Sequence, residues 1–188
     1  MIKQPRTAKA EQRQAQLEQS LLTLLRDMAY PQITVADICR TAAIPRRTFY
    51  HYFDSKDAVL KSIIEELIQR CSLQVMFDFH SSYADFKKSL VRNFYYWRGD
   101  GRIMMEILLD NHLGGELVSA GLRWLRSERT DLTARSRLSD KQIEIATTAG
   151  VACFFSILHY WRNNNYQESP EEMAEYTTWF LAEPLFRN

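Results

Sequence analysis

The sequence lacks the features of several common classes of protein. Its only cysteines are Cys39, Cys71 and Cys153, and no Cys-x-x-Cys pair occurs, so neither a disulfide framework nor a zinc site is predicted. The N-terminal stretch is basic but has no apolar signal-peptide core. No apolar run approaches the roughly 20 residues of a membrane helix. We therefore expect a cytoplasmic protein with reduced thiols, no metal, no cofactor and no membrane partner.

Catalytic motifs are missing as well. The chain has no G-x-S-x-G turn, P-loop, G-x-G-x-x-G turn or H-E-x-x-H pair. The histidines also lack metal-ligand spacing; they are His51, His80, His112 and His159. An enzyme would have to assemble its site wholly from distant residues, so we predict that the protein is not an enzyme. A helical adaptor without a ligand stays open as an alternative.

A strong net charge is absent, but the charge is unevenly distributed. The whole chain has a formal net charge of +1. Residues 1–61 hold 10 Lys+Arg and 6 Asp+Glu, whereas the remainder holds 14 and 17. A basic N-terminal third fits a DNA-contacting head on a body with another task. Chance asymmetry of a few charges is the alternative reading.

Helical periodicity is what the sequence does contain, and no segment shows sustained strand-like alternation. We predict an all-α fold with a three-helix head, residues 1–55, and a helical body, residues 56–188. The first helix, about Ala10 to Met28, packs behind two short helices. A long helix after Asp54 joins head to body, as a lever or as a rigid connector. Residues 1–9 are either a basic arm that reaches a minor groove or a tail without function.

The stretch from Thr34 to Lys61 predicts two short helices joined by a tight turn. Thr34 is a good N-cap, and Asp37 three residues later completes a carboxylate capping box. Pro45 suits the first position of the second helix. That helix, Pro45 to Tyr52, surrounds one buried residue, Phe49, with long donors and aromatic hydroxyls. This is the anatomy of a helix-turn-helix, whose second helix enters the major groove of DNA.

Side chains of this region have the chemistry that DNA recognition requires. Arginine reads guanine edges, threonine contacts bases, and tyrosine or lysine holds phosphates. A lysine near an exposed helix N-terminus is well placed for a phosphate. The predicted DNA-contacting residues are Thr34, Arg46, Arg47, Thr48, Tyr50, His51, Tyr52 and Lys56.

The run ITVADICRTAAIPRRTFYHYFDSKDAVL resembles the DNA-binding signature of the TetR family of transcriptional regulators. The pair Arg46-Arg47 resembles a subgroup that includes activators of dihydroxyacetone kinase operons. Pro45, Arg47 and Tyr52 depart from residues that are frequent in the family. The resemblance implies a homodimer that binds a pseudo-palindromic operator, usually as a repressor and with a small effector in the body. Activation, or control by a protein partner, stays open.

The last two predicted helices point to a dimer interface. Residues Ile143 to Leu158 are apolar on nearly all sides, so this helix must be covered both by its own domain and by something else. Two helices from each subunit would make a four-helix bundle, although an ordinary buried central helix also explains the first of them. The predicted interface residues are Ala146, Ala149, Gly150, Cys153, Phe154, Ile157, Trp161, Tyr176, Trp179 and Phe180.

The middle helices offer an aromatic and methionine-rich set for a small effector. A flat apolar molecule would suit such a lining, and Arg98 or His112 could pair with an acid. Each of these residues is also a reasonable core or surface residue. The predicted effector-binding residues are Trp97, Arg98, Met104, Met105, His112, Trp124, Phe155 and His159.

Overall fold

The structure is a computed structural model that describes residues 7–71, 83–127 and 139–181. Within these residues the chain is helical and forms no strand, which confirms the all-α prediction. The helices are α1 (Ala8–Leu25), α2 (Val35–Thr41), α3 (Arg46–Tyr52), α4 (Lys56–Arg70), α5 (Tyr83–Arg98), α6 (Arg102–Asp110), α7 (Gly114–Ser127), α8 (Asp140–Asn163) and α9 (Pro170–Leu181), with a 3₁₀ turn at Tyr30–Gln32.

Helices α1, α2 and α3 pack around a small apolar core at the N-terminal end. Leu17 and Leu21 on α1 are fully buried, as are Ile38 on α2 and Phe49 on α3. The ring of Phe53, just after α3, lies 6.0 Å from the ring of Phe49. Helix α1 therefore fixes the angle between the two short helices, and the predicted helix-turn-helix head is confirmed.

The turn between α2 and α3 is a tight Schellman motif. Ile44 N–H donates to the carbonyl of Cys39 at 3.0 Å, and Ala43 N–H donates to that of Arg40 at 3.2 Å. Ala43 has φ 53°, a left-handed conformation that normally favours glycine. Pro45 is extended, with ψ 144°, and precedes the helix as its N-cap. The prediction that Pro45 is the first helical residue was wrong by one position.

Side-chain caps define the starts of several helices. Thr34 and Asp37 form the predicted capping box at α2, and Ser139 forms one with the glutamine three residues later at α8. At α9, Glu172 accepts from the Ser169 N–H at 2.8 Å. The sequence also offers Asp54 as the N-cap of α4, but that expectation was wrong, because the Ser55 side chain accepts the N–H of Ala58, the third helical residue.

Helices α4 to α9 form a body with an aromatic centre. Helix α4 packs against α7, α5 against α9, and α7 against α8. Phe94 on α5 stacks edge-on against Trp161 on α8, with ring centroids 5.3 Å apart. Trp97 stacks edge-on against Phe155 at 5.8 Å. These contacts hold α8 in the middle of the body.

By length and composition alone, helix α8 is long and apolar enough to cross a membrane. Its Val151, Phe154, Leu158 and Trp161 are completely buried inside the body. The central helix of a protein core can have the same length and composition as a membrane span. We therefore assign α8 as the core helix of the body.

Some predicted boundaries moved or lie outside the described residues. The glycine pair Gly114-Gly115 predicts a break or kink, and the structure places the break just before it, at residues 111–113, with α7 beginning at Gly114. Helix α1 is shifted toward the N-terminus, from the predicted Ala10–Met28 to Ala8–Leu25. Residues 1–6 of the predicted arm are outside the described parts, as are residues 72–75, to which the apolar periodicity extends the long helix, and residues 130–138, whose polar sequence predicts a loop.

Candidate nucleic-acid interface and body surfaces

Helix α3 presents one polar side to solvent while its opposite side fills the head. Phe49 is fully buried, whereas Tyr50 is 49% exposed. Arg46, Arg47 and His51 are also exposed. Within the described parts of the chain, no hydrogen bond or ion pair holds these three side chains. The head therefore keeps several long donors outside its own fold.

The remaining predicted contacts of α3 are partly used by the fold. Thr48 and Tyr52 are half-buried. Tyr52 packs against the head core, and Thr48 lies three residues before His51 on the helix surface. The structure thus exposes Arg46, Arg47, Tyr50 and His51 to solvent, with Thr48 and Tyr52 at the border of the core. Their contacts with DNA stay a prediction.

Thr34 lies at the start of α2 and is exposed, but its side chain is occupied. Its Oγ1 donates to a carboxylate oxygen of Asp37 at 2.6 Å and accepts the Asp37 N–H at 3.3 Å. The bonds that the Thr34 hydroxyl and the Thr34 N–H donate to the carboxylate lower the pKa of the Asp37 carboxyl because they favour its charged form. Arg40 adds an ion pair at 2.5 Å. Thr34 therefore sets the position of α2, and its predicted DNA contact stays untested.

Lys56 has a structural role that the sequence did not predict. Its Nζ donates to the carbonyls of Tyr30 at 2.9 Å and Ile33 at 2.8 Å, and it lies 4.4 Å from the centre of the Tyr30 ring. Tyr30 O–H also donates to Asp57. Lys56 thereby ties the start of α4 to the segment that precedes α2. Its predicted phosphate contact stays a prediction.

The outer side of α8 and α9 is an apolar surface that we call the α8–α9 face. Its large exposed side chains are Tyr160, Tyr176, Trp179 and Phe180, each between 57% and 64% exposed. Between them lies a groove of about 650 Å³ whose lining includes Cys153 and Ile157. Ala146 is half-buried and Ala149 exposed one to two turns away on α8. Seven of the predicted interface residues thus share one side of the body.

Three predicted interface residues belong to the core. Phe154 and Trp161 are fully buried, and Gly150 is buried as well. Trp161 also donates its indole N–H to the carbonyl of Glu168 at 3.0 Å. Those residues lie on the side of α8 that packs inside the body, so a partner cannot reach them. Tyr160 was not predicted as an interface residue. On a helix that is apolar on every side, the sequence does not show which side an aromatic residue occupies.

A second concave surface lies between α6, α7 and α8, and we call it the corner cleft. It has a volume of about 640 Å³. Of the predicted effector residues, the structure brings Met105, His112, Phe155 and His159 into its lining. The sequence missed the other lining residues, which are Leu109, Asp110, Gly114, Gly115, Leu117, Val118, Ser156 and Arg162.

The other four predicted effector residues lie away from the corner cleft. Trp97 is fully buried against Phe155. Arg98 is exposed with its guanidinium 6.0 Å from the Trp161 ring, and Met104 lines a different, smaller hollow beside α1. Trp124 is half-buried on α7. In the described residues, no cluster of His, Cys, Asp or Glu suits a metal ion.

Comparisons with known proteins agree with this geometry. A sequence model described as bacterial regulatory proteins, tetR family, matches residues 22–63. The HTH-type transcriptional regulator EthR of Mycolicibacterium smegmatis is 42% identical over 60 residues, which are 32% of this chain and 28% of EthR. The HTH-type dhaKLM operon transcriptional activator DhaS of Lactococcus lactis is 48% identical over 42 residues, 22% of each chain. The matched segments thus span less than a third of these relatives.

A solved TetR transcriptional regulator from Streptococcus agalactiae superposes with a TM-score of 0.62 over 91% of this chain and 94% of its own, at 16% identity. At that identity the likeness shows the fold alone. A helix-turn-helix head on a separate helical body is the architecture of one class of regulatory protein. The chain thus contains a segment similar to the TetR family, residues 22–63, on a body with the fold of solved TetR-type regulators.

Proposed function

We propose that the protein is a homodimeric transcriptional regulator that binds a pseudo-palindromic operator. The observation that carries this proposal is the polar side of α3, where Arg46, Arg47 and His51 are exposed without partners inside the described residues. A recognition helix needs donors of this kind at the major groove. A purely structural helix of seven residues would gain nothing from them.

The apolar α8–α9 face supports the homodimer. An exposed cluster of Tyr160, Tyr176, Trp179 and Phe180 is costly in water and is typical of an interaction surface. One α3 reads only a few base pairs, whereas two copies related by a two-fold axis read half-sites about 34–36 Å apart or a multiple of that. The same face on both subunits satisfies the symmetry of such an assembly.

We propose that a small effector controls DNA binding from the body. The corner cleft has a volume of about 640 Å³, which lies in the ordinary range of small-molecule sites. Repression by occlusion of promoter sites is our primary proposal. Activation is the second candidate, because the N-terminal segment is 48% identical to part of the activator DhaS. Binding to chromosomal DNA would place the protein in the cytoplasm.

The experiment that tests DNA binding starts by selecting bound sequences from a random pool and from the DNA upstream of the protein's own gene. We expect a two-fold symmetric site. The double variant Arg46→Ala and Arg47→Ala should lose at least about tenfold in affinity and should show a smaller salt dependence. The control is the pair Lys88→Ala and Arg92→Ala, which also removes two positive charges, from exposed positions of α5.

Selection of no sequence, or equal binding by the double variant and the control, would contradict the proposed recognition helix. A reporter gene with the selected site then gives the sign of regulation. Expression that falls when the protein is supplied supports repression, and expression that rises supports activation. Sedimentation of the DNA complex should show two protein chains on each operator.

A further inference from the structure

We propose that the corner cleft binds a small apolar carboxylate, and that Asn111 transmits its occupancy to the DNA-binding head. The inference rests on the proposed function for its effect on DNA. Its physical basis is independent of that function. It consists of the lining of the cleft and of a set of hydrogen bonds that join the α6–α7 corner to the head.

The floor of the cleft is apolar and its rim is polar. Met105, Leu117 and Phe155 form part of the floor and are buried. His112 and His159 are exposed at the rim. A ligand with an apolar part and one polar end matches this division, because apolar contact supplies affinity while a few polar groups fix the orientation.

The polar rim favours an anionic end over a cationic one. Its carboxylate, Asp110, is already paired with the Arg162 guanidinium, and this is the sole carboxylate in the lining. The guanidinium has five donors, and the two imidazoles and the Ser156 hydroxyl can also donate. An ammonium group would face these donors and a carboxylate, Asp110, that is already paired. A carboxylate would receive hydrogen bonds from them.

The corner that borders the cleft is a closed turn. Leu113 N–H donates to the carbonyl of Leu108 at 2.8 Å, and His112 N–H donates to that of Leu109 at 3.0 Å. His112 has φ 59°, a conformation that histidine adopts at a cost. A turn held in this way moves as one piece. Displacement of His112 or Asp110 by a ligand therefore also displaces the residue between them.

That residue, Asn111, is bonded directly to the head. Its Oδ1 accepts the Tyr30 N–H at 3.0 Å, and its Nδ2 donates to the carbonyl of Leu25 at 3.1 Å. Leu25 ends α1, and Tyr30 opens the turn that leads into α2. One amide therefore satisfies the backbone on both sides of the α1–α2 link. A shift of the corner must either move this link or break both bonds.

The link is also held from the other side by Lys56 through the carbonyls of Tyr30 and Ile33. Since Lys56 is the first residue of α4, the segment before α2 lies between two anchors, one on the body corner and one on the connecting helix. A change at one anchor alters the angle at which the head is held. The link would then be a two-state element whose equilibrium both the ligand and DNA shift.

The first experiment measures ligand binding by calorimetry and thermal shift, with octanoate and 2-naphthoate as probes and 1-octanol and 2-naphthamide as neutral counterparts. We expect the carboxylates to bind at least about tenfold more tightly, as one charged hydrogen-bonded contact implies. His159→Leu should reduce that preference, because the acids lose one of the donors at the rim. Equal binding of acids and neutral probes, or no binding of either, overturns the proposed ligand class.

The second experiment tests the route through Asn111. In the unaltered protein, a carboxylate should change hydrogen exchange at the Tyr30 amide and change operator affinity by about 5-fold or more. Asn111→Ala should bind the ligand with similar affinity and lose both responses. The matched control is Asn164→Ala, which removes an amide that caps α8 and bonds within the body, at 2.9 Å from Nδ2 to the Tyr160 carbonyl.

Asn111→Asp is the second variant, in case the alanine variant fails to fold. It keeps an acceptor for the Tyr30 N–H and removes the donor to the Leu25 carbonyl, so the response should weaken. An unchanged response in either folded variant overturns the proposed route. If the protein binds no DNA at all, the proposed function fails, while the ligand preference and the exchange at Tyr30 still decide this inference.

Discussion

The head and the body each expose an unusual surface, and the two surfaces differ in chemistry. The α3 surface of the head is built from guanidinium, imidazole and hydroxyl groups such as those of Arg46, His51 and Tyr50. The α8–α9 face of the body is built from rings, and Trp179 is 64% exposed. Water solvates the first surface well, whereas exposing the second surface to water is energetically unfavourable.

The difference means that the two surfaces need partners for different reasons. The head is stable with its donors in solvent and meets DNA only when DNA is present. The body face gains free energy whenever it is covered, so a second copy of the chain would occupy it permanently. We expect DNA binding to depend strongly on salt and dimer formation to depend on it weakly.

The largest expected effect comes from removing one buried ring from the core of the head or from the core of the body. Phe49→Ala removes the fully buried ring of α3 and should destabilise the head by about 3–5 kcal/mol, with loss of DNA binding and retention of the dimer. The matched body variant is Phe154→Ala, also fully buried, which should reduce dimer formation instead. Denaturation curves and sedimentation measure both. Identical behaviour of the two variants would mean that head and body unfold as one unit.

A charge on the α8–α9 face should break the dimer. Trp179→Glu places a carboxylate among aromatic rings, and we expect a cost of at least about 2 kcal/mol in dimer stability, as for a central interface aromatic. Light scattering after size-exclusion chromatography gives the mass. Ile103→Glu is the control, since Ile103 is 61% exposed on α6 and outside the face. Loss of the dimer in the control as well would place the interface elsewhere.

A single change on the polar side of α3 should affect sequence preference. Arg46→Ala should cost about 1–3 kcal/mol at one base pair and relax specificity there. Binding to operators with each base pair changed in turn measures this effect. A uniform loss across all sequences would instead identify Arg46 as a phosphate contact.

The turn of the helix-turn-helix offers a stabilising change. Ala43 has φ 53°, so Ala43→Gly should raise the stability of the head by about 0.5–1 kcal/mol. Ala42→Gly, at a residue with φ −76°, is the control and should lower it. Thermal unfolding of both variants decides the matter, and a loss of stability in Ala43→Gly would show that the left-handed position is not a source of strain.

Acid should weaken the carboxylate caps of α2 and α9 before the cap of α8. Hydrogen bonds from Thr34 lower the pKa of Asp37, and those from Ser169 lower the pKa of Glu172. Each cap is therefore fully present above the ordinary carboxyl pKa and is lost as pH falls through the lowered value. Gln142 does not titrate. Thermal melts between about pH 6 and pH 3 should be flatter for Asp37→Asn, and an unchanged profile would contradict this account.

The head was far more predictable than the body. The capping box of Thr34 and Asp37 and the buried Phe49 are local signals, since the residues involved lie within a few positions of each other. The role of Lys56 was not predicted, because its partners at Tyr30 and Ile33 are more than twenty residues away. A lysine side chain carries no sign of which carbonyls it will reach after folding.

In the body, contacts between distant residues decided more than local signals did, and α8 is the clearest example. Its sequence is apolar on nearly every side, so periodicity predicted a helix but could not separate Phe154 and Trp161, which are core, from Ile157 and Cys153, which face outward. Packing against α5 determines which side of α8 is buried, because the Phe94 ring contacts the rings of Phe154 and Trp161. The corner cleft likewise joins residues from three helices.

The sequence alone determined the helices, the head motif and the chemistry of the recognition helix, since these depend on neighbours within one or two turns. Tertiary structure alone decided which aromatic residues face outward, which residues line the corner cleft, and that Asn111 holds the link between α1 and α2. Those outcomes depend on contacts between residues as much as 86 positions apart. Such contacts exist only after the chain has folded, when packing and hydrogen bonding between distant segments fix each side chain in place.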